Sequence, residues 1–250
     1  MSDADRAPRG PVTLSVLAVL AVLGIAGFMA LGIWQVERRA WKLDLIARVD
    51  QRSHAAPAAA PGPAAWLAIS RSNDEYRRVT ASGTFLQGKE VLVQAVSDLG
   101  AGFWVLTPLR TDAGFTVLVN RGFVSSDERK AGAFTASASP VTVTGLLRIS
   151  EPKGGFLRTN DPGAGRWFSR DVAEIATSQK LDPVAPYFID ADKSQDAPGQ
   201  PHGGLTVVVF PNNHAVYMLT WFGLALMLAV AAVYVGRHEW KIRKKSPSRV

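Results

Sequence analysis

The amino-acid sequence predicts a membrane protein in which two transmembrane helices flank a β-rich α+β extracytoplasmic domain, folded as a small barrel or curved sheet. Three observations predict it. Residues 12–33 and 215–235 hold no charged side chain, and about twenty apolar residues suffice to cross ~30 Å of hydrocarbon. Between these runs, β-branched and aromatic residues recur near period two. The positive charge is concentrated in one place: of a formal net charge of +7 over 250 residues, the last fifteen carry +5, while the charges of the first eleven cancel.

The two apolar runs should be helices, because backbone polar groups in lipid must be satisfied within the segment. The first exceeds the 7–15 residues of a signal-peptide core and no A-x-A cleavage site follows it, so an uncleaved anchor is expected. The leading residues contain Asp3 and Asp5 and no amphipathic Arg/Ser stretch, which argues against a mitochondrial transit peptide and for a bacterial inner membrane. The basic tail, with Arg237, Lys241, Arg243, Lys244, Lys245 and Arg249, suits anionic lipid on the cytoplasmic face. Both termini are then cytoplasmic and the large loop periplasmic. Arg38, Arg39 and Lys42 oppose this orientation from the outer side of the first helix, but long loops translocate largely regardless of charge. Because the excess charge sits in one juxtamembrane tail, nucleic acid is not the expected partner; the lipid bilayer is.

The expected organisation is a cytoplasmic N-terminus (1–11), a first transmembrane helix (12–33), a stalk helix and Pro/Ala-rich linker (34–65), the β-rich domain (66–211), a second transmembrane helix (212–235) and a cytoplasmic tail (236–250). The first helix continues as WQVERRAWKLDLIARV, with Trp34 at the height of the interfacial aromatic belt. HAAPAAAPGPAA (residues 54–65) has no hydrophobic period and reads as a flexible or extended linker. YRRVTASGTF and KEVLVQAV read as strands, and FWVLTPLRTDAGFTVLVNRGFV as a hairpin turning at residues 111–114. PVTVTGLLRI, VAPYFIDA and LTVVVF are further strands. Asp171, with Glu174 three residues on, marks the start of a short helix over VAEIATSQKL.

The chemistry is sparse. The chain has no cysteine, which excludes disulfides, thiolate copper sites and c-type haem attachment. No G-x-S-x-G, P-loop or complete H-E-x-x-H motif occurs, so no enzyme activity is expected. His54, His202, His214 and His238 are the only histidines, and none lies within helical reach of another, which does not suit a zinc site. Asp182, Asp190 and Asp192 read as solvated residues flanking a strand. Arg121 leaves an apolar strand in VLVNRGFV and is expected to pair with a carboxylate, Gly122 permitting a bulge, or else to meet a partner or an anion. Asn212, Asn213 and His214 open the second apolar run. The asparagines suit a helix cap. His214 allows capping, an interfacial hydrogen bond, or axial ligation of haem iron, since ionisable groups at membrane depth are costly and usually functional.

Four stretches, LGIWQVERRAWK, VLVNRGFV, RWFSRDVAEIA and NNHAVYMLTWFGLA, resemble in this order the Surfeit locus protein 1 family, from about Leu31 to Val235. The resemblance implies an assembly factor for haem-copper cytochrome c oxidase, one that binds haem a and assists its insertion into subunit I. His214 would then be the axial ligand of the haem iron, and haem a synthase a further partner. It also matches Trp34, Gln35, Arg38, Thr220, Trp221 and Phe222 to family positions without assigning them roles. Two departures stand out: Phe123 where a tryptophan is expected after NRG, and Ala215 where a larger apolar residue is usual. The alternative is a membrane-tethered scaffold for oxidase subunits or another membrane complex, with His214 merely capping.

Overall fold

The computed structural model describes residues 9–132, 134–155, 158–193, 200–206 and 212–245. It divides into two compact units, one of Met1–Ile46 with Val209–Val250 and one of Ala47–Val208.

The first unit is a pair of antiparallel helices. α1 (Pro11–His54) begins with a proline, whose fixed φ and missing N–H suit a helix's first position. α5 (His214–Lys245) is the last element of the chain. Both are long and apolar enough to cross a membrane, and almost none of their most apolar stretch is buried within the protein. Side chains such as Val16, Leu20, Leu23, Leu226 and Val230 therefore face outward, the arrangement of helices whose solvent is lipid rather than of a soluble core. Where the helices meet, small residues let the backbones approach. A side chain at Gly24 would meet Leu228 at 2.7 Å, and one at Gly32 would overlap the Phe222 ring. Phe28 stacks on Trp221 with centroids 5.8 Å apart. At the end of the pair where α1 begins, Glu239 is buried and accepts from the Arg9 backbone N–H at 3.1 Å, while Arg243 donates to the Arg9 carbonyl.

The second unit is a closed five-stranded barrel. Its strands are β2 (Arg78–Phe85), β4 (Gly100–Thr111), β5 (Thr116–Ser125), β6 (Pro140–Ile149) and β7 (Val184–Ala191). Round the ring the order is β2-β6-β7-β5-β4 and back to β2. All neighbours are antiparallel except β5 and β7. β4 is long enough to serve two partners on one edge: its first half pairs with β3 (Val91–Ser97), and Leu109–Thr111 pair with β2. β2 buries alternate residues, Val79, Ala81 and Phe85, against Val117, Val119, Leu147, Tyr187 and Ile189 inside the barrel. This is the period-two pattern legible in the sequence. β5 is buried on both faces, because Leu118 and Phe188 also pack beneath α4 (Val172–Gln179) through Val172 and Ile175. Burial on both faces explains its near-continuous apolar run. The Asp171 carboxylate caps α4, accepting from the Glu174 N–H at 3.1 Å.

Several elements differ from the sequence reading. The Pro/Ala-rich stretch, read as a flexible or extended linker, belongs to the same compact unit as the barrel and runs into a 3-10 helix at Pro63–Ala68. Ala58–Ala59 form a short strand, β1, parallel to β2, and the Pro61 carbonyl accepts from Trp66 Nε1 and from the Tyr187 hydroxyl. Burial pushes the Tyr187 hydroxyl's pKa up, so it stays a donor. Two short helices carried no recognised signal: α2 (Arg71–Asp74) and α3 (Ser126–Lys130). The second has a full capping box, in which Ser125 and Glu128 satisfy each other's backbone N–H. The expected strand LTVVVF falls mostly on residues 207–210, outside the described residues, as does Pro211; Leu205 and Thr206 lie in no strand.

Gly122 explains how the chain's return is held. His202 exchanges two backbone hydrogen bonds with Phe123, at 2.8 and 2.9 Å. Gly122 adopts φ 131°, and a Cβ there would overlap the His202 carbonyl. Phe123 is fully buried edge-on against Trp104, so the aromatic slot is filled without the tryptophan expected there. Gly122→Ala should cost roughly 1–3 kcal/mol in backbone strain alone, and more as the 202–204 segment is pushed off. Thermal unfolding of the full chain in detergent should show a midpoint lowered by several degrees.

The same return segment carries a pH-dependent contact. Glu128 is held below the usual carboxylate range, first by the Ser125 backbone N–H and then by His202, whose Nε2 lies 2.9 Å away. A carboxylate with a depressed folded pKa contributes stability that is present above its unfolded pKa, and that is lost as pH falls through its folded pKa. Replacing it by Gln should therefore weaken the chain at neutral pH and flatten its loss of stability below about pH 4.5, its ordinary value. Unfolding midpoints at pH 7 and pH 4 would check both signs.

Candidate functional site

The described residues place the sequence's candidate polar groups at three separate positions. The first is interior to the barrel unit. Asp190, expected as a solvated loop residue, is instead buried in β7. Its carboxylate accepts from Asn120 Nδ2 at 2.8 Å, Arg148 at 2.7 Å, Arg170 at 3.1 Å and the Thr206 hydroxyl at 2.9 Å. Arg148 also donates to Glu75 at 2.8 Å, and Arg170 grips Glu151 through two nitrogens. Both guanidinium groups lie over the Phe188 ring, 5.8 and 4.7 Å from its centroid. Burial alone would lower the Arg148 pKa, but Asp190 and Glu75 more than reverse this and hold it above the ordinary value. Three carboxylates thus share two arginines, and each is bonded to at least one of them. Such an arrangement stabilises charge and offers no unpaired acid or base for catalysis. Asp192 is likewise engaged, by Arg78.

The second position is Arg121. The expected carboxylate partner is replaced by neutral acceptors, the Phe134 carbonyl and Gln200 Oε1, and the guanidinium lies 5.4 Å from the Phe85 centroid. Burial lowers its pKa, and Glu90 partly offsets this. It lines an open cleft with Phe85, Thr142, Thr144 and Gln200.

The third lies in the helix pair and holds His214. This residue is the first of α5, which begins where the Asn213 carbonyl accepts from the Val216 and Tyr217 N–H groups. Those are the first bonds of the helix ladder, and the imidazole is turned to another partner. Its Nδ1 lies 2.7 Å from Oε1 of Gln35 on α1. Gln35 is 7% exposed, a polar side chain held within an apolar helix pair. His214 is half-buried, and Nε2 makes no hydrogen bond to a described residue. The residues around this pair follow the antiparallel register: Phe222 over Gly32 and Trp221 on Phe28, with Thr220 bonded to the Val216 carbonyl. On the neighbouring turns of α1, Trp34 is exposed and Arg38 stacks on Trp41, 4.1 Å from its centroid. Among the described residues no three His, Cys, Asp or Glu gather to hold a metal ion.

The sequence profile of the SURF1 family matches residues 22–226, which include Gln35, the whole barrel and His214. The chain belongs to the SURF1 family. It is 36% identical over 215 residues to Surfeit locus protein 1 of Mus musculus, covering 78% of this chain and 67% of that protein. Against Surfeit locus protein 1 of Homo sapiens it is 36% identical over 217 residues, covering 78% and 69%. Against the SURF1-like protein of Monosiga brevicollis it is 34% identical over 225 residues, covering 83% and 82%. The family match thus extends over the helix pair and the barrel alike, and not over the barrel alone.

What sequence reasoning missed is the pairing of Gln35 with His214. The two lie 179 positions apart, and only the register of two antiparallel helices brings them together. The Asp190 network was equally hidden, since its members come from β5, β6, β7 and the segments flanking them. Arg148→Ala should leave Asp190 and Glu75 under-compensated in the interior, at a cost of about 3–5 kcal/mol. Chemical denaturation of the purified full chain should show the lowered midpoint, whereas Arg166→Ala, removing an exposed pair with Asp161, should shift it little.

Proposed function

We propose that this protein is an assembly factor for haem-copper cytochrome c oxidase that binds haem a through His214 and assists its insertion into subunit I, with haem a synthase as a second contact. Family membership supports the role in oxidase assembly. The observation that carries the haem reading is the setting of the His214 imidazole: Nδ1 lies 2.7 Å from Oε1 of Gln35, and Nε2 makes no hydrogen bond to a described residue. The donor set fits the group. One imidazole on an apolar helix pair is a good axial ligand for haem iron, and the outward-facing Val216, Tyr217 and Leu219 offer apolar surface to a macrocycle with a lipid-like tail. When bound, haem supplies the iron and the porphyrin; the protein supplies one ligand, its orientation and an apolar setting. No catalytic turnover is proposed.

We infer that the two helices lie in the bacterial inner membrane with both termini cytoplasmic and the large loop periplasmic. The basic cluster on the last turns of α5, with Arg237, Lys241, Arg243 and Lys244, supports that orientation through the positive-inside rule. His214, opening α5, then lies near the outer leaflet.

Reduced-minus-oxidised spectra of membranes lacking the protein should show a diminished a-type haem signal with b- and c-type signals intact. Re-expression of the native chain should restore the signal, and His214→Ala should restore little of it while accumulating to normal levels. Full restoration by His214→Ala would remove the haem ligand from the reading and leave a tethered scaffold for oxidase subunits. An a-type signal unchanged by deletion would remove the oxidase role as well.

A further inference from the structure

Gln35 is an expensive residue where it stands. A primary amide withdrawn from water costs about 1–3 kcal/mol unless its hydrogen bonds are met, and a leucine at the same point of an apolar helix would carry no such cost. The amide does find a partner, the Nδ1 of His214 at 2.7 Å. A neutral imidazole has one nitrogen that donates and one that accepts. With the amide oxygen facing Nδ1, the proton belongs on Nδ1 and the lone pair on Nε2. The opposite tautomer would put a proton on Nε2, where iron must bind.

The structure assigns to Gln35 the part of a positioning residue: we propose that it fixes the tautomer and ring orientation of His214 so that Nε2 is presented as the ligating atom. This rests on the reading that His214 ligates haem iron. Metal-bound histidines commonly donate their second N–H to a carbonyl or carboxylate, and loss of that partner typically costs 10–100-fold in metal affinity. Here the acceptor is a neutral side-chain amide delivered by the other helix. Gly32, one turn before Gln35, lets Phe222 pack directly against α1, and the stacking of Phe28 on Trp221 holds the same register. The two membrane helices therefore assemble the ligand between them, and neither presents it alone.

The test uses the full chain purified in detergent, titrated with ferric haem a and followed by absorbance, with the midpoint potential of the bound haem measured separately. Gln35→Leu removes the acceptor. It should weaken binding 10–100-fold and raise the midpoint potential of whatever haem is bound, because the ring then donates less electron density to iron. Gln35→Glu supplies a stronger acceptor, so binding should be retained and the midpoint potential lowered. Unfolding midpoints of the haem-free variants separate this from simple interhelical adhesion, which would lower stability in Gln35→Leu and leave the potential of bound haem unchanged. That unchanged potential in both Gln35 variants, together with loss of binding in His214→Ala, would overturn the positioning role and leave His214 as ligand. Native-like binding by His214→Ala would overturn the ligand reading itself, and the role of Gln35 with it.

Discussion

The barrel depends on one buried carboxylate. Asp190 sits in β7, the strand that closes the ring, with its side chain 1% exposed and four donors on its two oxygens. Closure at this point is topologically demanding. β5 and β7 are parallel, so no hairpin can join them, and the chain must travel from Ser125 to Val184 between the two. Asn120 on β5, Arg148 on β6, Arg170 before α4 and Thr206 beyond β7 all converge on Asp190. The two strands that flank β7 in the ring, β5 and β6, thus each contribute one bond to the same group, and the segments before α4 and beyond β7 contribute the other two. A buried ion pair is weak evidence for net stability, since desolvation can cancel its attraction. Its effect here is on specificity: a one-residue slip of β7 would turn Asp190 to the opposite face of the sheet, separating the charge from both arginines. The ring closes correctly or leaves an uncompensated charge in an apolar interior.

The helix pair solves a different problem with different means. In lipid there is no hydrophobic drive to bring two apolar helices together, so association rests on close packing and on hydrogen bonds between helices. Gly24 and Gly32 provide the close approach, aromatic stacking fixes the register, and polar contacts stand toward the two ends, Gln35 with His214 at one and Arg9 with Glu239 at the other. The apolar middle sets distance and register, and the polar ends add hydrogen bonds that hold both.

The two helices, the hairpin at residues 111–114 and the cap at Asp171 were legible because each is a local signal. Length and absence of charge suffice for a helix in lipid, a turn needs only four residues, and a cap is written within four positions. The strands were legible wherever one face is buried and the period of two survives. The barrel's closure was not, because a parallel pairing leaves no local trace. Asp190 was misread for a related reason: in VAPYFIDADK a carboxylate among further charges at a strand end looks like the approach of a loop, and only the arginines at 148 and 170, distant in sequence, make its burial affordable. Arg121 was misread in the opposite direction. Its cation meets a carbonyl, an amide and a phenyl face, acceptors that no residue type announces. At the candidate site the sequence supplied the histidine, its place at the start of a helix and its match to the family, and left Gln35 without a role.

On the proposal that His214 ligates haem iron, the choice of acceptor behind it bears on what kind of ligand the imidazole becomes. A carboxylate at Nδ1 would draw the proton strongly and push the ring toward imidazolate, giving a tight and persistent bond to iron. No acceptor would leave the tautomer unset and the ring free to turn. An amide lies between these extremes: it orients the ring and fixes the proton, yet adds no charge to the ligand. A neutral acceptor also spares the helix pair a buried anion, which in lipid would need its own counter-ion. A protein that must hold a haem and then give it up gains from a ligand of this intermediate strength, because affinity that cannot be released is of no use to the recipient. On the proposed reading, the buried amide of Gln35 is the feature that makes His214 a site of exchange and not a permanent haem seat.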